Sequence, residues 1–337
     1  MKLHHYVVRR LLLMGPVLLG VAAITFVISH LVPGDPARLM AGPHAPIEVV
    51  LALRAKMGLD KPIYEQFLIY LSDLLHGDLG MSITTRRAVA ADLLRFFPAT
   101  LELTLASMIV SIVVGIPLGV VSATRQNRLP DHFSRIFALT GVATPIFWSG
   151  LMVLLVFYYL LGWFPGPGRI DVGLVTPQQI TGMLVLDSII TGNWPALVSS
   201  VRHLVLPTAV LSFSTMGMIV RMVRSGMLEV LREDYIVLAR SKGLSERAVV
   251  YRHAFKNAVT STVTLIGLIF GTLLSGTVLV EAIFSWPGIG RYAVTAITYL
   301  DFAAVMGYTL LVTLVYITVN LGVDLFYGFL DPRIRLE

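Results

Sequence analysis

Three carboxylates, Glu102, Glu281 and Asp324, stand inside long apolar stretches of this 337-residue chain. An ionisable side chain in such a setting is a functional candidate by default, as a proton relay, an ion site or half of a buried pair. Each falls near the end of its stretch, where water or headgroups reach it, so an anchoring or capping role competes with the functional one. A proton relay would place a carboxylate nearer the middle of a stretch. Glu281 and Arg291 bracket the tract Ser285-Trp-Pro-Gly288. With Trp286 they are candidates to shape a gate or a contact for another protein on the outer face. His4 and His5 are adjacent at the terminus and the other histidines are scattered, so no metal-ligand spacing arises. His30 and His203 read as interfacial residues rather than ligands. No Gly-x4-Gly-Lys-Ser/Thr tract is present to cradle nucleotide phosphates. No Ser-His-Asp or paired-carboxylate spacing is found, and there is no cysteine. We therefore expect no catalytic residue, no metal ligand and no cofactor bound by the chain itself.

The second group of chemistry-bearing residues is cationic. It occupies the insert from Gly226 to Ala258, with Arg232, Arg240, Lys242, Arg247, Arg252 and Lys256. Met227, Leu231, Tyr235 and Leu238 recur at helical spacing and predict a first helix ending at about Ser241. Gly243 then stands where a left-handed residue stops a helix. Ser245 can cap a second helix, with Glu246 in its positive first turn. That helix continues through Val249, Val250 and His253. The product is an elbow of two helices with Gly243-Leu244-Ser245 at its exposed point. A DNA-reading helix-turn-helix has a similar rhythm, but an insert this short, held at both ends, reaches a groove poorly. A merely solvated basic loop is the plain alternative. A docking element for a cytosolic partner accounts better for Leu244, an apolar side chain at the point.

The elements that position these residues follow from composition. Hydrophobic residues make up 56% of the chain and charged residues 14%, against about 25% charged in soluble domains. Mean hydropathy is +0.79. The bilayer is the expected solvent, and the expected fold is an all-α integral membrane protein. Spans of about 20 apolar residues fall at about 9–31, 99–122, 134–161, 204–225, 258–283 and 303–328. The first is too long, and lacks the cleavage site, for a removed signal peptide. Thr144-Pro145 is placed to kink the third. Ile180 to Thr191, carrying Asp187, is too short to cross and reads as a surface or re-entrant segment. Net charge is +6, and it is explained by Lys and Arg gathered on one side. Lys2, Arg9 and Arg10 precede the first span. Arg125, Arg128 and Arg135 lie about the second link, the basic insert fills the fourth, and Arg333 and Arg335 follow the sixth span. That side is expected to be cytoplasmic, with both termini inside. Residues 33–98 form a large external loop with helical spacing over Ile47–Met57 and Tyr64–Leu75, where Phe67, Leu68, Leu71 and Leu75 share a face. Gly115 and Gly119, and Gly267, Gly271 and Ser275, are small-residue pairs that let helices approach, within the chain or between subunits.

The tract Asp234-Tyr-Ile-Val-Leu-Ala-Arg-Ser-Lys-Gly-Leu-Ser-Glu-Arg247, followed by Arg252-His-Ala-Phe-Lys-Asn-Ala258, resembles the cytoplasmic loop of ATP-binding-cassette importer permeases. More narrowly, it resembles the dipeptide/oligopeptide/nickel permease family. Pro33-Gly-Asp-Pro36, His76-Gly-Asp-Leu-Gly80, Pro98-Ala-Thr-Leu-Glu-Leu103, Pro145-Ile-Phe-Trp148, Phe284-Ser-Trp-Pro-Gly-Ile-Gly-Arg291 and Asp331-Pro-Arg-Ile-Arg335 extend the likeness along the chain. The resemblance implies that Gly243 is the glycine, and Ala239 the second alanine, of the family's EAA loop. Val237 and Leu238 replace that loop's glutamate and first alanine, and Thr260-Ser261 replaces its closing Leu-Pro. It implies a coupling surface of Ala239, Arg240, Lys242, Gly243, Leu244, Ser245, Glu246, Arg247, Val250 and Tyr251. It further implies a second homologous permease subunit, two cytosolic ATP-binding subunits that carry the ATP and Mg, and an external or periplasmic solute-binding protein. The setting would be a bacterial cytoplasmic membrane, and the cargo dipeptides or short peptides. Nickel and glutathione importers are alternatives within the family. A self-sufficient secondary transporter or channel with a regulatory loop is the alternative outside it, and a membrane-embedded enzyme comes third. Nucleic acid is not expected as a partner.

Overall fold

A computed structural model describes residues 3–31, 35–42 and 44–330 of the chain. Lys2, Pro33, Gly34 and residues 331–335, with Arg333 and Arg335, lie outside the described residues, as does the side chain of Ser275. Among the described residues the protein is helical. The order is α1 (Leu3–Leu31), α2 (Pro36–Ala41), α3 (Ile47–Lys56), α4 (Ile63–Leu75), α5 (Val89–Thr124), α6 (Leu129–Ala143), α7 (Ile146–Val153, continued by a wide π-type turn over Leu154–Leu160) and α8 (Leu184–Ile190). Then come α9 (Trp194–Val230), α10 (Asp234–Ser241), α11 (Glu246–Ala248, continued by a π-type turn over Val249–Ala254), α12 (Phe255–Ala258), α13 (Thr260–Gly276), α14 (Val278–Ile283), α15 (Ile289–Thr298) and α16 (Phe302–Leu330).

Among the described residues four helices are long and apolar enough to cross a bilayer: Val7–Leu31, Val89–Thr124, Trp194–Val230 and Phe302–Leu325. Two bent pairs raise the number to as many as six if each is one span: α6 with α7 and its continuation at 104°, and Glu246–Ala258 with Thr260–Leu274 at 53°. The first bend is far sharper than a kink. Proline disfavours helical backbone in the residue before it, and Thr144 is extended at φ −81°, ψ 126°. The second bend falls at Val259, where no proline starts the new helix.

Helix ends differ from the hydropathy reading. α5 begins at Val89, ten residues before the expected span, so the loop before it is shorter by that much. α9 runs from Trp194 through Val230 and absorbs Met227, which the periodicity assigned to the elbow; the elbow's own first helix starts only at Asp234. Hydropathy marks the part of a helix that lies in lipid, whereas backbone hydrogen bonding carries the helix on into polar surroundings.

In lipid the hydrophobic effect does not drive helices together, so close packing decides. Both glycine pairs are spent inside the chain. A Cβ on Gly119 would fall 2.6 Å from that of Val223, and one on Gly115 3.1 Å from a methyl of Ile219, so α5 and α9 lie against each other there. Gly271 similarly meets Tyr316, and Gly267 meets Val323, joining α13 to α16. The core is this α5–α9 seam, extended by Leu103, Leu211, Ile236, Val249 and Trp286. Arg10 and Asp324 pair at 2.8 Å and fasten α1 to α16, which agrees with an anchoring role for Asp324. Helices α3 and α4 form where the spacing puts them. α4 leans on α1 through Phe26, Phe67 and Tyr70, while Leu68 and Leu75 are exposed.

Candidate functional site

The elbow is built by local rules. At the end of α10 the Gly243 N–H donates to the Arg240 carbonyl at 2.9 Å and the Leu244 N–H to the Ala239 carbonyl at 3.4 Å. That pair of bonds is the Schellman stop, and it requires a left-handed residue at Gly243, whose φ is +75°. Ser245 Oγ accepts from the Ala248 N–H at 3.4 Å and starts α11. Two ties hold the arms at a fixed angle. Arg240 forks onto Glu246 at 2.8 and 3.2 Å, and Asn257 Nδ2 donates to the Tyr235 hydroxyl at 2.7 Å. Hydrogen bonding to Arg240 holds the Glu246 carboxyl below its usual range.

One side of the elbow is locked into the core. Ile236, Val249 and Ala254 are fully buried, and Ala239 and Val250 nearly so. A Cβ on Gly226 would lie 2.9 Å from the Ala258 carbonyl, so the end of α9 abuts α12. The other side is open. Arg240, Lys242, Gly243, Leu244, Ser245, Glu246, Arg247 and Tyr251 are exposed. Of the ten residues proposed for coupling, eight thus form a surface, and Ala239 and Val250 lie beneath it. Leu244 and Tyr251, with exposed Val237 and Leu238, make apolar ground bordered by cations. An apolar centre with a polar rim is how protein contacts are built. Tyr235 and Asn257 were missed from sequence, because neither end of a bond between residues 22 apart is marked by spacing.

At the opposite end of the helices, Glu281 and Trp286 are interior, which corrects the expectation that water reaches Glu281. The Glu281 carboxylate accepts from Thr100 Oγ1 at 2.6 Å, Thr277 Oγ1 at 2.9 Å and the Arg291 backbone N–H at 2.9 Å. A Cβ on Gly288 or Gly290 would run into that carboxylate. Trp286 Nε1 donates to the Ala99 carbonyl at 2.8 Å, and the Arg169 guanidinium stands 5.2 Å over its ring. Arg169 also pairs with Glu102, itself buried, whose other oxygen accepts from the Val185 N–H at 2.7 Å. Three elements are tied here: the outer part of α5, the turn between α14 and α15, and the loop before α8. As a contact for another protein, Arg291 presents surface and Glu281 and Trp286 do not. Thr100 and Arg169 were missed. Thr100 heads a row of hydroxyls, with Thr104, Ser107 and Ser111, at near-helical spacing in an apolar run, which is the signal that could have found it.

Asp187 is buried and accepts from the Thr181 N–H and hydroxyl, both at 2.7 Å. His203 is buried rather than interfacial, with Nδ1 2.9 Å from the Ser199 carbonyl. His30 contacts Gln66 at 3.0 Å. Among the described residues no three His, Asp or Glu side chains converge as metal ligands.

Residues 115–336 match the family described as binding-protein-dependent transport system inner membrane component, and residues 3–104 match the N-terminal part of such membrane components. The probable D,D-dipeptide transport system permease protein DdpB of Escherichia coli K12 is 49% identical over 94% of each chain. The dipeptide transport system permease protein DppB of Alkalihalophilus pseudofirmus is 43% identical over 98% of this chain and 99% of its own. The glutathione transport system permease protein GsiC of an Escherichia coli O6:H1 strain is 37% identical over 99% of both. With a likeness of that extent, and helices suited to several membrane crossings, this chain belongs to the family of multi-pass inner-membrane components of binding-protein-dependent transport systems.

Proposed function

We propose that this chain is one of a pair of permease subunits that import dipeptides or other short peptides, driven by ATP hydrolysed on partner subunits. The observation that carries the proposal is the elbow: a rigid, core-anchored bend that turns Leu244, Tyr251 and a rim of cations outward. Two cytosolic ATP-binding subunits, which hold the ATP and Mg, dock there. A second, homologous permease encloses the path, and an external solute-binding protein delivers the cargo. The chain supplies no catalysis and holds no cofactor. The relatives at 43–49% identity are dipeptide permeases by name, which favours dipeptides. Glutathione, also a peptide, follows at 37%.

The chain forms a single transmembrane domain of six spans with both ends in the cytoplasm. Two ion pairs support this orientation. Asp131 in the first turn of α6 holds Arg224 near the end of α9 in a fork of 2.7 and 2.9 Å, so the basic link after α5 and the basic elbow share one side. Arg10 and Asp324 bring the starting part of α1 and the later part of α16 together.

Uptake into proteoliposomes containing the complete importer tests the reading. A labelled dipeptide should accumulate only with internal ATP and both ATPases present. Accumulation that persists without ATPases and collapses with the proton gradient would instead establish a secondary transporter.

A further inference from the structure

α6 and α9 run antiparallel and touch most closely where each offers a glycine. A Cβ on Gly141 would lie 2.5 Å from the Phe213 carbonyl oxygen, and one on Gly217 2.5 Å from that of Ala138. Toward the elbow end a cleft of about 300 Å³ lies between the two helices. Its inner walls are Ala138, Leu139, Gly217 and Val220; its mouth carries Arg135, Arg221, Arg224 and Ser225. Asp131, fully buried, neutralises Arg224 and holds it in place. Arg135 and Arg221 are exposed, and among the described residues neither makes an ion pair or hydrogen bond. Outward along α6 the exposed side chains turn apolar, with Leu139 and Val142 above the mouth and Phe133 and Ile136 beside it.

The order from mouth to floor is cationic, then apolar, at the level where a span leaves the membrane. An anionic phospholipid presents the same order: a phosphate at the surface and acyl chain above it. Basic pockets between membrane helices on the cytoplasmic side suit such headgroups, and arginine forks match phosphate oxygens in pairs. The geometry points to a site for one anionic phospholipid of the cytoplasmic leaflet, its phosphate held by Arg135 and Arg221 and its acyl chain lying along Leu139 and Val142. The leaflet rests on the orientation proposed above; the site does not rest on the cargo.

Native mass spectrometry of the complete importer tests this, after exchange into nanodiscs of phosphatidylcholine doped with phosphatidylglycerol. The wild type should retain phosphatidylglycerol after release from the disc. Arg135→Gln with Arg221→Gln should lower that retention by about five-fold per charge removed. Arg135→Lys with Arg221→Lys should keep most of it and shows that folding is not the cause. Equal retention by wild type and the glutamine variant overturns the proposal. So does displacement of the lipid by millimolar inorganic phosphate, which would make the occupant a soluble anion. Loss of the second permease from the glutamine variant, with no lipid on the wild type, overturns it in favour of a subunit contact. Retention is read without transport, so failure here leaves the importer reading standing.

Discussion

At Gly243 nothing lies within 4 Å of the place a Cβ would take, while φ is +75°. Substitution there is opposed by the backbone alone. The left-handed conformation costs an ordinary residue roughly 1–2 kcal/mol, and a β-branched one is the least suited to it. Gly243→Val should insert normally and lose co-purifying ATPase and transport together, whereas Gly243→Ala should retain part of both. Glu281 poses the opposite problem, since its surroundings are full. Glu281→Gln keeps an acceptor for the Arg291 N–H and should lower stability by about 1 kcal/mol; Glu281→Leu strands three buried donors and should cost about 3 kcal/mol or more, read as thermal unfolding in detergent. Glu246 behaves differently again because it is exposed. Its carboxyl is held down by Arg240, so the tie is intact above the ordinary carboxylate value and is lost as pH falls through the depressed one. Amide protection in the elbow, corrected for the intrinsic pH dependence of exchange, should be flat around neutrality and fall only in acid below about pH 4.

Among the elements, the α5–α9 seam is the most demanding. Gly119→Leu must displace Val223 and should destabilise by about 1–3 kcal/mol or misassemble, detectable as reduced yield and a lower unfolding temperature. The glycine pair announced this seam, though its partner helix could not be read from spacing. The elbow was legible because a stop glycine and a capping serine act within a few residues. The break at Pro145 was legible as a place but not as a 104° turn, which the packing around it determines. Glu281 was misread for a related reason: its hydroxyl donor Thr100 is 181 residues away, so its burial is a property of the tertiary structure alone. Of the ten residues proposed for coupling, Ala239 and Val250 face inward because helical periodicity places them on the side of Ile236 and Ala254.

For the molecule as a whole, sidedness is the property most open to direct test. The chain has no cysteine, so a single introduced thiol reports without background. Val172→Cys, at a wholly exposed position in the loop before α8, should react with an impermeant maleimide added outside intact spheroplasts. Leu244→Cys should react only when the cytoplasmic face is opened, and binding of the ATPases should shield it. Labelling of both from one side would discard the six-span arrangement.

The unbroken length of α9 has a mechanical meaning. At about 1.5 Å per residue, its 37 residues form a lever of about 55 Å, for which a tilt of roughly 5° at one tip swings the other through about 5 Å. One tip abuts the elbow, and the opposite end carries Ser199 and His203 beside the loop before α8. Because α9 packs glycine-close against α5 and α6, the three would tilt as one body, and a small movement at the elbow would be delivered, enlarged, to the far end.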